Sequence, residues 1–173
     1  MLKRLNIAPL IIPLMSTIEG KQQEEETMEI KKNIIIDAST EAVFKAFTDP
    51  NELANWFPDQ AIFEPKVGGK MKFGFYKNSK RGNQDCGRDK DYLHEGRVVE
   101  FIPNKKISYT WDDSYEPDFP TTVVTWELEK IENNKTSLKL LHPGFKANEK
   151  VEQYDEGWSH FLNELVKYCQ KAK

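Results

Sequence analysis

Four side chains of this 173-residue chain could do acid–base or recognition chemistry if the fold brought them together: Glu95, Arg97, Tyr109 and His142. Glu95 and Arg97 are two positions apart, the period of a strand. If Val99 and Phe101 point into the core, strict alternation places Glu95 and Arg97 on the same side. An inward Glu–Arg pair could orient a ligand's carboxylate, hydroxyl or amide, because either charge buried alone is costly. A β-bulge near Gly96 would reverse that parity and leave both in solvent. His142 shares a strand face with Leu138 and Leu140. It reads as a hydrogen-bonded structural histidine, or with Glu95 as a proton-transfer group. His94 and His160 are expected to be exposed. Cys86 sits among Lys80, Arg81 and Arg88, which favours a thiolate, yet a loop cysteine without a partner is usually inert. Cys86 and Cys169 give neither metal-ligand spacing nor a disulfide framework. No Ser-His-Asp arrangement, H-E-x-x-H, P-loop or dinucleotide fingerprint is present. No catalytic residue, metal or cofactor is therefore expected.

The elements that would position these residues are legible in the pattern. Period-two alternation from Met28 to Ile36 predicts a strand. Ser39 caps a helix carrying Ala42, Val43, Ala46 and Phe47. Asp49 and Pro50 then start a second short helix, with Leu53, Trp56 and Phe57 facing inward. Strands are predicted at Ala61–Glu64, Met71–Phe75, Tyr92–Phe101, Ile107–Trp111, Thr121–Ile131 and Thr136–His142, where Pro143-Gly144 ends the run. Hairpin chemistry joins several of them: Val67-Gly68-Gly69-Lys70, Pro103-Asn104 and Glu132-Asn133-Asn134-Lys135. Lys77–Asp91 is a polar loop. Last, Val151, Tyr154, Trp158, Phe161, Leu162, Leu165, Tyr168 and Cys169 recur at three- and four-residue spacing, one face of a long helix. The expected class is α+β: a curved antiparallel sheet of about six to seven strands wrapped on a long C-terminal helix, with two short helices after the first strand. That is the helix-grip arrangement.

Composition gives the site its character. Aromatics make up 12% of the chain while hydrophobic residues reach only 38%, so buried surface must lean on rings. Phe73, Phe75, Val99, Phe101, Tyr109, Trp111 and Trp126 on strands would face Tyr154, Trp158, Phe161 and Leu162 on the helix. With Glu95, Arg97 and His142 they make a candidate ligand cavity. A net charge of −3 argues against nucleic acid as a default partner. The charge is uneven: seven bases face one acid over Lys66–Arg88, while Asp112, Asp113, Glu116 and Asp118 cluster without a base. Such loops could steer a partner, though two solvated loops explain them as well.

Residues 1–27 differ. Lys3 and Arg4 precede an apolar run from Leu5 to Met15, which resembles an export signal. Pro9 and Pro13 interrupt it, no small-x-small cleavage site follows, and it is too short to span a membrane. It reads as a disordered or mis-started extension, with residues 28–173 as the domain. The expectation is a cytoplasmic monomer or weak dimer with no stable membrane insertion.

Five segments in register carry a resemblance over about residues 30–171. They are Asp49–Phe57, Val67–Phe73, Gly96–Trp111 ending in Ile107-Ser108-Tyr109-Thr110-Trp111, Leu141-His142-Pro143-Gly144-Phe145, and Glu156-Gly157-Trp158 with Phe161, Leu162 and Leu165. The chain resembles bacterial members of the activator-of-Hsp90-ATPase-like family, in the START/SRPBCC helix-grip superfamily. The resemblance implies a cavity between sheet and C-terminal helix that takes a small apolar or amphipathic ligand, such as a lipid, sterol or polyketide. It also implies a chaperone partner and a role in stress response. The eukaryotic co-chaperone that names the family uses a separate N-terminal domain, which residues 1–27 cannot form. Some superfamily relatives cyclise or hydrolyse, which leaves a cyclase- or hydrolase-like enzyme as a further alternative.

Overall fold

The computed structural model describes residues 27–81, 84–85, 88–113, 119–132, 134–146 and 148–171. Strand β1 (Met28–Ile36) is followed by helices α1 (Thr40–Thr48) and α2 (Pro50–Leu53). Then come β2 (Gln60–Phe63), β3 (Lys70–Phe75), a two-residue ladder of β4 (Lys80–Arg81) with β5 (Gln84–Asp85), β6 (Tyr92–Ile102), β7 (Lys106–Asp113), β8 (Thr122–Lys130) and β9 (Thr136–Phe145). Helix α3 (Asn148–Lys171) closes the described chain. The main sheet has seven strands in the order β1-β9-β8-β7-β6-β3-β2, every neighbouring pair antiparallel. Its curved inner face holds α3, and α1 and α2 pack over the same layer. This is the expected α+β helix-grip fold.

Local chemistry places the helices. The Ser39 hydroxyl accepts the Ala42 N–H at 3.2 Å, capping α1. Asp49 ends α1 and caps α2 by accepting the Asn51 N–H at 2.9 Å, with Pro50 in the first turn, where its missing N–H costs nothing. The loop expected over Lys77–Asp91 contains the small β4–β5 ladder.

One boundary is corrected. Pro143-Gly144 does not end the last strand: β9 continues to Phe145, which pairs with Met28, and Pro143 pairs with Glu29 beside a register shift in β1. Pairing of β9 with β8 stops at Leu141. The missing proline N–H thus falls where β9 has one neighbour, a position that tolerates it.

A second correction concerns parity in β6. Residues His94, Glu95 and Val98 pair with Asp113, Asp112 and Tyr109, but Glu100 pairs with Ser108, so Val99 is an extra residue, a bulge. Val98 is buried and Val99 is 46% exposed. Beyond the bulge Phe101 returns to the inner layer, where it meets Phe44 with ring centroids 5.4 Å apart. Counting back from Phe101 in steps of two crosses the bulge and gives every earlier residue the wrong face.

Candidate functional site

The corrected parity rearranges the expected site. Glu95 and Arg97 lie on the outer face: Glu95 pairs with Lys72 at 2.8 Å, and Arg97 donates to the Gly68 carbonyl at 3.1 Å. Val99 is on that face too. Before the bulge, Tyr92, His94 and Val98 are the inward residues of β6, with Gly96 between the last two. At Gly96 a side chain would lie 1.8 Å from the Thr110 carbonyl oxygen, so only glycine fits against β7. His94, expected to be exposed, is 6% exposed and stacks on Trp111, ring centroids 4.2 Å apart.

His142 is fully buried and belongs to the core. Trp158 Nε1–H donates to His142 Nδ1 at 3.0 Å. That fixes the proton on Nε2, which then donates to Thr122 Oγ1 at 2.7 Å. The Thr122 hydroxyl can donate in turn to the Trp111 carbonyl at 3.4 Å. Both imidazole nitrogens are therefore engaged, and burial, reinforced by nearby His94, lowers the His142 pKa to about 3. The ring is a neutral strut between two tryptophans. Glu95, Tyr109 and His142 do not converge as an acid–base set, since Glu95 is outside the sheet. Tyr109 accepts the Trp126 indole N–H at 2.8 Å, and burial pushes its phenol far above the ordinary value. Burial likewise raises the Cys169 thiol to about 11, leaving it inert. Cys86, Glu116 and Asp118 lie outside the described residues. Among the described residues, no group of three His, Cys, Asp or Glu side chains could hold a metal ion.

A cleft of about 240 Å³ opens between the first half of α3 and strands β3, β6 and β7. Its walls are rings: Phe57, Phe75, His94, Trp111, Trp158 and Phe161. Phe57 ties them together, stacking near Trp158 at 5.6 Å and meeting Phe161 and Phe75 edge-on at 4.8 and 5.3 Å. The polar members are Arg88, Tyr92, Asp113, Gln153 and Tyr154. Arg88 lies 5.2 Å over the Phe75 ring. Its Nη1 donates to Asp59 Oδ2 at 2.9 Å and to Ser79 Oγ at 2.7 Å.

Of the residues expected to line a cavity, Phe75, Trp111, Tyr154, Trp158 and Phe161 do so. Phe73, Tyr109, Trp126, His142 and Leu162 are buried behind them, and half-buried Phe101 packs against α1. Sequence reading missed Phe57, Arg88, Tyr92, His94, Asp113, Gln153 and Gly157. For His94 the signal was present: it stands four residues before Val98, on the same face.

One cleft residue, Gly157, has no side chain. It lies within α3, lines the cleft, and a Cβ built there meets nothing within 4 Å. Glycine inside a helix costs about 1 kcal/mol relative to alanine. Packing does not require it, and its bare backbone widens the cleft.

A seven-stranded antiparallel sheet gripping one long helix, with a ring-lined cleft between them, defines a helix-grip protein of the START/SRPBCC kind. The model of the family described as Activator of Hsp90 ATPase homolog 1-like protein matches residues 37–170, and the chain belongs to that family. No curated protein matches it. Solved structures share the fold at low identity. MLL2253 from Mesorhizobium loti aligns with TM-score 0.65 and 22% identity over 86% of this chain and 99% of its own. The Aha1 dimer protein from Colwellia psychrerythraea gives 0.66 and 22%, over 82% and 96%. PFC0360w, an HSP90 activator from Plasmodium falciparum, gives 0.61 and 23%, over 80% and 93%. None of the helices in the described residues is long and apolar enough to cross a membrane.

Proposed function

We propose that the protein binds one small apolar or amphipathic molecule in the cleft under α3. The observation that carries this reading is Gly157. A helix position with open space beside it keeps the least stabilising residue short of proline, and so keeps the cleft open. Rings supply the affinity and the polar residues at the cleft supply orientation, the usual division of labour in such sites. The volume sets the ligand's size. A cavity of roughly 150 Å³ holds benzene, so about 240 Å³ suits one or two rings. It is too small to enclose a sterol or a long acyl chain. The reading includes a cytoplasmic monomer or weak dimer, on the strength of composition.

The test has two arms. Native mass spectrometry of protein purified from its own host should show a small apolar adduct. 1-Aminonaphthalene, a neutral two-ring fluorescent probe, should bind the purified protein saturably at one site. Gly157→Phe should abolish both while the melting temperature holds. No adduct together with no saturable probe binding overturns the reading, as does probe binding that Gly157→Phe leaves intact.

A second reading, a chaperone-associated interaction module, is favoured by the family's description and by the fold shared with PFC0360w. Stimulation of an Hsp90-type ATPase by residues 28–173 would support it. It would act through the charged surface, independently of whether the cleft is filled.

A further inference from the structure

Two rings bound the cleft along α3. Tyr154 and Phe161 both line it, seven positions apart on the helix, with Gly157 between them. At 1.5 Å per residue they stand about 10 Å apart along the axis. Positions three, four and seven apart share a helix face, so α3 presents a ring, a gap and a ring. At the Phe161 end the boundary is a cluster. Phe161 meets Phe57 at 4.8 Å and Phe75 at 5.4 Å, rings supplied by the α2–β2 connection and by β3.

At the other end the boundary is Tyr154 itself. Its hydroxyl accepts the Trp111 indole N–H and donates to Asp113 Oδ2, both at 3.4 Å, so the side chain reaches from α3 to β7. Phe119 stacks on its ring at 5.4 Å, and the fully buried Phe145 lies 5.3 Å away. Phe119 and Phe145 touch Tyr154 but do not line the cleft. The phenol therefore stands between the open space and the packed rings beyond it. Swinging it aside would give up both hydrogen bonds and the Phe119 stack. An occupant lying along α3 is thus stopped by Tyr154 in one direction and by the phenylalanines in the other. A longer molecule can only project through the mouth, where its extra apolar area stays in water and adds no affinity.

We infer that Tyr154 is the end wall that limits the enclosed occupant to about two fused rings, and that a smaller side chain there extends the cleft to Phe119 and Phe145 and admits a third. This rests on the reading of the cleft as a small-molecule site. Fluorescence titration of the full chain with 1-aminonaphthalene and its linear three-ring homologue, 1-aminoanthracene, tests it. In an open groove the apolar area of the third ring would strengthen binding about tenfold. In the unmodified protein 1-aminoanthracene should bind no more tightly than 1-aminonaphthalene. In Tyr154→Ala the three-ring probe should become about tenfold the tighter of the two. Tyr154→Phe keeps the ring and loses the hydroxyl, so the affinity ratio should stay as in the unmodified protein while the melting temperature falls. A purely structural role would weaken both probes alike and leave the ratio unmoved. If Tyr154→Ala does not fold, Tyr154→Leu carries the same comparison with a smaller change in ratio.

A third ring that strengthens binding tenfold in the unmodified protein overturns the inference. So does an unchanged ratio in folded Tyr154→Ala or Tyr154→Leu, or a shift in Tyr154→Phe as large as that in Tyr154→Ala. In those cases 1-aminonaphthalene still binds and the cleft remains a small-molecule site. If 1-aminonaphthalene does not bind the unmodified protein, the underlying reading falls and this inference falls with it.

Discussion

The two halves of the layer between sheet and α3 use the same kinds of side chain and end differently. Towards the C-terminal half of α3, helices α1 and α2 plug the space. Phe47 lies against Trp126 and Trp56, at 4.6 and 5.2 Å, and the Trp56 indole donates to the Ala46 carbonyl. Tyr168 donates its hydroxyl to Glu52, which also pairs with Lys45. Leu165 and Cys169 are buried there. Towards the N-terminal half, neither short helix reaches over, Gly157 presents no side chain, and Phe57, Phe161, Trp111 and Trp158 border open space. Aromatic richness alone therefore does not make a binding site. A cleft appears where the packing is left incomplete beside rings that are themselves held in place. The strut that holds them is His142, bonded to one wall through Trp158 and, through Thr122, to the backbone of another at Trp111.

The largest expected effect tests that strut. The folded His142 pKa of about 3 lies below the ordinary 6.5. The unfolded chain therefore binds the proton more readily, and the contribution is fully present above about pH 6.5. It is lost as pH falls through the window towards 3. At about 1.36 kcal/mol per unit, the loss reaches on the order of 5 kcal/mol. Urea unfolding at a series of pH values, compared with His142→Phe, should show a steeper decline in the unmodified protein across this window. Parallel curves for the two proteins would mean that His142 is not buried neutral and the walls are not pinned by it.

Next in size is the contrast between halves. Phe47→Ala removes a ring from the plugged half and should cost about 3–5 kcal/mol. Phe161→Ala removes a half-buried ring from a cleft that already has room, and should cost about 1 kcal/mol, since most of the cavity penalty is absent. Chemical denaturation of both variants measures the difference. Equal losses would show that the cleft is closed by packing in solution, and the distinction between the halves would disappear.

How much of this was readable beforehand varies with the range of the interaction involved. Element order, both helix caps and the ringed face of α3 are local patterns, and Ser39, Asp49 and the Tyr154–Trp158–Phe161 series expressed them directly. The orientation of β6 was not local. It depends on an extra residue at Val99, whose presence is set by how β6 pairs with β7, and that one residue moved Glu95 and Arg97 out and His94 in. Arg88 was legible only as part of a charged loop, because its partners Asp59 and Phe75 come from separate parts of the chain. The limits of the cleft were hidden for a similar reason. Which rings fill the core and which border space depends on where α1 and α2 stop, and no single segment carries that information.

Gly157 offers the smallest effect and the most direct comparison of the halves. In a position chosen for packing or for backbone strain, replacing glycine by alanine destabilises. Neither condition applies here, since α3 is regular at this point and the space beside the Cα is empty. Gly157→Ala should therefore stabilise the protein by about 1 kcal/mol, through helix propensity and a less flexible unfolded chain. The added methyl group projects into the cleft, so probe affinity should fall modestly while the denaturation midpoint rises. Opposite movement of the two quantities would identify a residue retained for the cleft at the expense of the helix. A loss of stability would instead mean that something occupies the space beside Gly157, and the open half would resemble the plugged one after all.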